Sequence, residues 1–217
     1  MKIQMLTMGI AATNCFILGD PATKTAVVFD PCDNARAILE AAQREDWQIA
    51  AILCTHGHFD HVLAVGDLKI MAGGVPFYLH PADVFLLEQL PDRVRYFTGQ
   101  EVPPAPPPDV LVEPGQDITI GPFTFGVRHT PGHTPGSVTY VLNGAEVAFS
   151  GDVIFVNGVG RTDFPYGNHT QLMTSIFTEI LTLPDSTTLC VGHGYTTTVG
   201  AERRNNPYVQ DWAGQRP

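Results

Sequence analysis

The stretch CTHGHFDHV, residues 54–62, follows on from the apolar run AAILCT and constrains this chain more than any other feature. Short apolar runs of this kind form strands covered on both faces. Side chains two apart on an extended segment share a face. His56 and His58 therefore aim at one spot at the strand end. Asp60 and His61, where the chain turns into helix, reach a second spot beside it. Helix capping by Asp60 accounts for the aspartate alone. It leaves three histidines beside a buried strand without a role, in a chain that has only 8 histidines. Imidazole and carboxylate groups gathered in this way read as metal ligands.

One segment rarely closes a metal site, so further ligands are expected at other strand ends. HTPGHTPGS, residues 129–137, offers His129 and His133. Asp152 follows the strand EVAFS, and His193 follows TTLCVG. Each precedes a turn, and loops at one edge of a sheet stack are where a scaffold positions functional groups. Thr-Pro-Gly between His129 and His133 prevents a helix, so His129 is expected to be structural or to support a ligand. His80 and His169 are expected to make ordinary polar contacts.

The rest of the chain repeats one grammar. KIQMLTMG, NCFILGD and TAVVFDP read as strands, the last two forming a hairpin. DNARAILEAAQRE reads as a helix with Asp33 as N-cap, HVLAVGDLKIMAG as a helix, VPFYLH as a strand, and PADVFLLEQL as a helix with Pro at its first position. EVPPAPPPD, residues 101–109, is too proline-dense for helix or central strand and reads as a stiff connector. Strands resume with DITI and FTFGVRHT. SVTYVL and EVAFSGD flank the hairpin signal Asn143-Gly144. HTQLMTSIFTEILTL is an amphipathic helix ending before Pro184, TTLCVG a buried strand, and GAERRNN a short final helix. The expected organisation is one domain, 1–217, of two similar halves, 1–100 and 109–217, joined by the connector. Two sheets would pack together with helices outside.

A net charge of −10 without any basic run argues against nucleic acid as a partner. No apolar run is long enough to span a membrane, and MKIQMLTMGIAATN makes a poor secretory leader because Gln4 and Thr7 interrupt it. Four cysteines, at 15, 32, 54 and 190, show no CxxC spacing and sit in strand-like surroundings. Buried free thiols in a reducing, cytoplasmic setting are expected.

His56-Gly57-His58-Phe59-Asp60-His61 resembles the HxHxDH motif of the metallo-β-lactamase fold superfamily, and His133, Asp152 and His193 match its later ligands in order. The resemblance implies an α/β fold, a four-layer αββα sandwich of two mixed β-sheets flanked by helices. It implies two divalent ions, zinc foremost, with iron or manganese as alternatives. His56, His58 and His133 would hold the first, Asp60, His61 and His193 the second, and Asp152 would bridge them. A water between two such cations ionises near neutral pH, since zinc lowers its pKa to roughly 7. The resulting hydroxide attacks a carbonyl, with Asp60 orienting it or taking its proton.

Within the superfamily the chain looks most like glyoxalase II and its short relatives, which implies hydrolysis of a thioester such as S-lactoylglutathione. GVGRTDF, 158–164, resembles the segment that grips a glutathione carboxylate, which points to Arg161; pairing of Arg161 with Asp163 is the alternative reading of the residues. VGHGYTTT, 191–198, resembles the segment whose tyrosine contacts glutathione, which points to Tyr195. Glyoxalase II carries an aromatic at the position of Asp163 and a basic helical extension that is at most a stub here, so Arg203 and Arg204 are expected to cap the final helix. GRTDF also resembles persulfide dioxygenases, which would use one iron on His56, His133 and Asp152. Lactonase, β-lactamase and a non-catalytic metal-binding module complete the alternatives. The oligomeric state is left open by the residues.

Overall fold

A computed structural model describes residues 1–214, so the last three residues of the expected half 109–217 lie outside it. The first sheet contains β1 (Lys2–Met8), β2 (Thr13–Gly19) and β3 (Thr25–Phe29), paired antiparallel, then β4 (Gln48–Leu53) after helix α1 (Ala35–Arg44). Helices α2 (Phe59–Val62) and α3 (Val65–Met71) lead to β5 (Phe77–Leu79). A 3-10 turn at Pro81–Asp83 then opens helices α4 (Val84–Glu88) and α5 (Leu90–Thr98) before the edge strand β6 (Val110–Leu111). Strands β3 to β6 run parallel, so the sheet is mixed.

The second sheet is built from β7 (Asp117–Ile120), β8 (Phe123–His129), β9 (Val138–Leu142) and β10 (Val147–Gly151), consecutive antiparallel strands. A small ribbon follows, β11 (Ile154–Phe155) with β12 (Gly158–Val159), then helix α6 (His169–Ser175). β13 (Thr188–Val191) joins β10 in parallel, and β14 (Thr197–Thr198) forms the edge before α7 (Val199–Asn205) and α8 (Pro207–Gly214).

Period-two alternation sorts the side chains into three buried layers. From β2 to β4, Phe16, Leu18, Val27, Phe29, Ala51 and Leu53 meet Phe125, Val127, Tyr140 and Phe149 of the other sheet. Phe29 stacks on Phe149 at 3.7 Å, and the Tyr140 hydroxyl donates to the Cys54 carbonyl at 3.0 Å. The opposite faces carry Cys15, Ile17, Val28 and Ile52 against α1 and α3, and Ala148, Leu189 and Val191 against Leu172, Met173 and Ile176 of the helix after β12. Three apolar interfaces make four layers, the αββα sandwich.

Five details differ from the sequence expectation. GAERRNN is not the last helix, since α8 (Pro207–Gly214) follows it. Asn34, not Asp33, caps α1; its side chain accepts from the Ala37 amide at 3.2 Å. The helix expected over HVLAVGDLKIMAG is broken into α2 and α3 at Leu63–Ala64. Helical structure does not stop at Leu90: α5 continues to Thr98 and is closed by Gly99 at φ 72°. The helix from His169 widens into a π turn at Ile176–Ile180, where the Leu181 amide donates to the Ile176 carbonyl. Residues 101–108 form no regular element, as expected of the proline-rich connector. No helix among the described residues is long and apolar enough to cross a membrane.

Candidate metal centre

Strands β3, β4, β8, β10 and β13 end at one rim, and each delivers chemistry there. Backbone bonds stitch the rim across both sheets: the Val138 amide donates to the Thr55 carbonyl, and the Asn14 amide donates to the Gly192 carbonyl, each at 2.8 Å.

The structure brings together the seven side chains singled out in the sequence. Three sets have donor atoms within 4.8 Å of one another: His56, His58 and His133; His56, His61 and Asp152; and Asp60, His61 and His193. His56 Nε2 lies 3.1 Å from His58 Nδ1, which lies 2.9 Å from His133 Nε2. Asp152 spans the groups, with Oδ1 3.4 Å from His61 Nε2, and Oδ2 3.4 Å from His133 Nε2 and 3.3 Å from His193 Nε2.

Neighbouring bonds decide which nitrogen carries the lone pair. The Thr55 hydroxyl donates its one proton to Asp30 at 2.7 Å, so at 3.1 Å from His56 Nδ1 it accepts. His133 Nδ1 donates to the Arg161 carbonyl at 2.7 Å, and His61 Nδ1 donates to Asp30 at 3.0 Å. In its neutral form each of the three therefore turns a bare Nε2 inward, the tautomer a metal ligand needs.

The site fits a cation on its own chemistry. His61 Nε2 and Asp152 Oδ1 are buried without a hydrogen-bond partner, an arrangement that is costly unless something else satisfies them. The spacing of the first trio is close to the roughly 3.3 Å edge of a tetrahedron whose metal–nitrogen bonds are about 2.0–2.1 Å. Gly192 keeps the space open: a Cβ there would lie 2.0 Å from Asp152 Oδ1 and 2.8 Å from His61 Cε1.

Electrostatics divides the ligands. Burial, reinforced by the neighbouring imidazoles, pushes His56 well below the ordinary histidine range and His58 down to about 3. Burial also disfavours charge on His61, but Asp152, Asp60 and Asp30 outweigh it and raise its pKa well above normal. Asp152 is the counterpart: burial pushes it up, yet His61, His193 and His133 hold it well below the usual carboxylate range.

Sequence reasoning missed the residues that hold these ligands. Asp30, buried at the end of β3, accepts from the Thr55 amide and hydroxyl and from His61. Asp83, fully buried, accepts from the Gly57 and Gly136 amides and from Thr134, tying the His58 loop to the His133 loop. Thr13 donates to Asp60 at 2.9 Å. The signal for Asp30 was the DP step after a buried strand; Asp83 carried none.

Other expectations fare differently. Arg161 lines the cleft above the ligands, but its guanidinium forks onto Asp163 at 2.9 and 2.8 Å and sits 4.7 Å from the Phe164 ring. Tyr195 is 83% exposed and stands outside the residues lining the cleft. His129 Nε2 donates to the Pro135 carbonyl at 2.9 Å, and the ring stacks on His80 at 4.6 Å. His169 meets Trp212 edge-on. Arg203 and Arg204 pair with Asp185, and Arg203 also reaches the Leu181 carbonyl at the end of the preceding helical segment, so neither caps the final helix, which is α8. All four cysteines are free and buried. The cleft itself holds about 520 Å³ and has apolar walls that include Phe59, Leu86, Phe97 and Phe155.

Comparison with known proteins agrees with this geometry. The chain is 35% identical over 209 residues to the hydroxyacylglutathione hydrolase GloC of Haemophilus influenzae, covering 96% of this chain and 98% of that protein. Among solved structures, the BLEG-1 B3 metallo-beta-lactamase is 40% identical with a TM-score of 0.89, covering 96% of this chain and 99% of that one. TTHA1623, solved in a di-iron-bound form, is 36% identical with a TM-score of 0.85, covering 94% and 99%. The model of the metallo-beta-lactamase superfamily matches residues 8–193, a span that starts in β1 and ends on the last of the seven clustered side chains. With fold, donor set and sequence in agreement, the chain belongs to the metallo-beta-lactamase superfamily.

Proposed function

We propose that this protein is a dinuclear metallohydrolase that cleaves a glutathione-type thioester such as S-lactoylglutathione. The observation that carries the reading is the pairing of two complete donor sets with an apolar cleft of about 520 Å³ directly above them. Near full-length similarity to the GloC hydroxyacylglutathione hydrolase supports the substrate class. His56, His58 and His133 would hold one ion, Asp60, His61 and His193 the other, with Asp152 between. Zinc suits these nitrogen and oxygen donors, and the di-iron form of TTHA1623 keeps iron beside it as an alternative. When bound, the ions supply Lewis acidity and lower the pKa of water.

The chain's own residues do the rest. Asp60, 16% exposed at the cleft floor and held by Thr13, is placed to take or direct a proton. Phe59, Phe155 and Phe164 exclude water from the acyl group. Four buried free thiols support a reducing, cytoplasmic setting, and the acidic balance supports a small-molecule partner over nucleic acid or membrane.

The test is metal content together with anaerobic thioester turnover. Two metals per chain and release of free thiol without oxygen are expected. One iron per chain, with oxygen uptake and sulfite formed from glutathione persulfide, would instead make the protein a dioxygenase.

A further inference from the structure

The helix that the sequence hid, α5, supplies one wall of the cleft. Gln89, Arg93 and Phe97 recur every fourth residue, so they share a face, and all three line the cleft. Phe97 is fixed by stacking on Phe59 at 5.1 Å and 11°. Gln89 donates to the Tyr166 hydroxyl at 3.3 Å. Between them, Arg93 brings a guanidinium into a cleft whose walls are otherwise mostly apolar.

Like Arg36 and Arg44 on α1, that cation is free, but it alone of the three lines the cleft, and other cations are held. Lys69 pairs with Asp109, Arg95 with Asp92, Arg161 with Asp163, and Arg203 and Arg204 with Asp185. Among the described residues no hydrogen bond or ion pair holds the Arg93 side chain, and its five donors remain available. Arg161, the other cation of the cleft, already has its fork filled by a carboxylate. An anion entering would have to displace Asp163 from Arg161, whereas at Arg93 it meets no competitor. In a chain of net charge −10, such a cation is also the local feature that makes the cleft attractive to an acid.

We propose that Arg93 is the residue that recognises a substrate carboxylate, forking onto it while the apolar part of the substrate lies against Phe59 and Phe97 and its reacting carbonyl faces His58, His133 and Asp152. The substrate class rests on the reading given under Proposed function; the carboxylate role of Arg93 does not depend on hydrolysis.

The test is calorimetric binding of S-hexylglutathione, a thioether that cannot be cleaved, to the metal-loaded protein. Arg93→Gln is expected to weaken binding about 10- to 100-fold, the range for losing charge-assisted bonds. Arg93→Lys should recover part of it, since charge is kept and the fork is lost. The dimethyl ester should bind wild type as weakly as the free acid binds Arg93→Gln, and Arg93→Gln should not distinguish acid from ester. Equal binding of the acid by wild type and Arg93→Gln overturns the proposal. So does the absence of binding to wild type, or a loss confined to Arg161→Gln. Arg93-dependent binding without turnover of S-lactoylglutathione would sink the hydrolase reading alone. Turnover with a KM indifferent to Arg93 would sink this inference alone.

Discussion

Asp30 sets the tautomer of His61, and through it the quality of the second donor set. Its carboxylate can only accept, so His61 Nδ1 must carry the proton and Nε2 is left bare. Asp30→Asn keeps the shape but turns an amide donor toward His61 in one of its two orientations, favouring the opposite tautomer. The second ion should then bind about 10- to 100-fold more weakly, while the His56, His58 and His133 trio keeps the first. Metal-to-protein ratio after dialysis against graded chelator reads this directly; two ions retained at every step would refute it. Residues 30 and 61 share no spacing rule, so nothing local to either reveals their contact. It arises because β3 and β4 pair in parallel with Phe29 opposite Leu53, placing both strand ends side by side. His80 offers a second test at this scale. Burial and the neighbouring His129 lower its pKa to about 4. A histidine with a depressed folded pKa resists protonation that the unfolded chain accepts near pH 6.5. Its contribution to stability is therefore full above pH 6.5 and is lost as pH falls toward about 4. His80→Asn keeps an acceptor for the Ala82 amide and removes the titration, so Tm should fall less steeply across that window than in wild type. Parallel Tm–pH curves would assign the acid sensitivity elsewhere.

Elements were legible where a period ran long enough and illegible where a short element borrows its stability from its neighbours. β2, β3 and β4 announced themselves as continuous apolar runs, and the hairpin at Asn143-Gly144 carried its own turn chemistry. In α5 the apolar positions are thin, and Pro91, which reads as a stop, instead occupies the first turn, where a missing amide costs nothing. The same difficulty hid Asp83. Its 3-10 turn is a single turn long, yet its carboxylate fastens two ligand loops from different sheets, at 2.9 Å to Gly57, 2.6 Å to Gly136 and 2.7 Å to Thr134. Asp83→Ala would strand two buried amide donors, while Thr134 could still turn to Ser137. Each stranded group costs about 1–3 kcal/mol, so a loss of roughly 2–6 kcal/mol is expected in urea unfolding, with Asp83→Asn intermediate. A midpoint shift worth less than about 0.5 kcal/mol would mean that the loops hold their shape unaided.

At the scale of the whole molecule, the sequence reveals the layers but not how they face one another. Alternation says which side chains of β8 are buried, and β10 is buried on both faces; neither pattern says that Phe149 will lie flat on Phe29. That registration is what lets His61 from one sheet meet Asp152 and His193 from the other. The three apolar interfaces account for the fold without help from ions, so the chelated protein should remain folded and unfold in one transition. The rim is a different matter. There, bare imidazole nitrogens and carboxylates from both sheets crowd within 4.8 Å, and a cation bound only in the folded state adds RT ln(1 + [L]/Kd), about 4 kcal/mol at a thousandfold excess over Kd. For a chain of this size each kcal/mol moves Tm by about 2–4 °C. Removing metal should therefore lower Tm by about 10 °C, and readdition of zinc should restore it, as read by calorimetry. The shift should shrink in His193→Ala, which removes a donor contributed by the second sheet. A Tm indifferent to chelator would show that the two sheets are held at the rim by backbone bonds alone and that the donor sets do not clamp them.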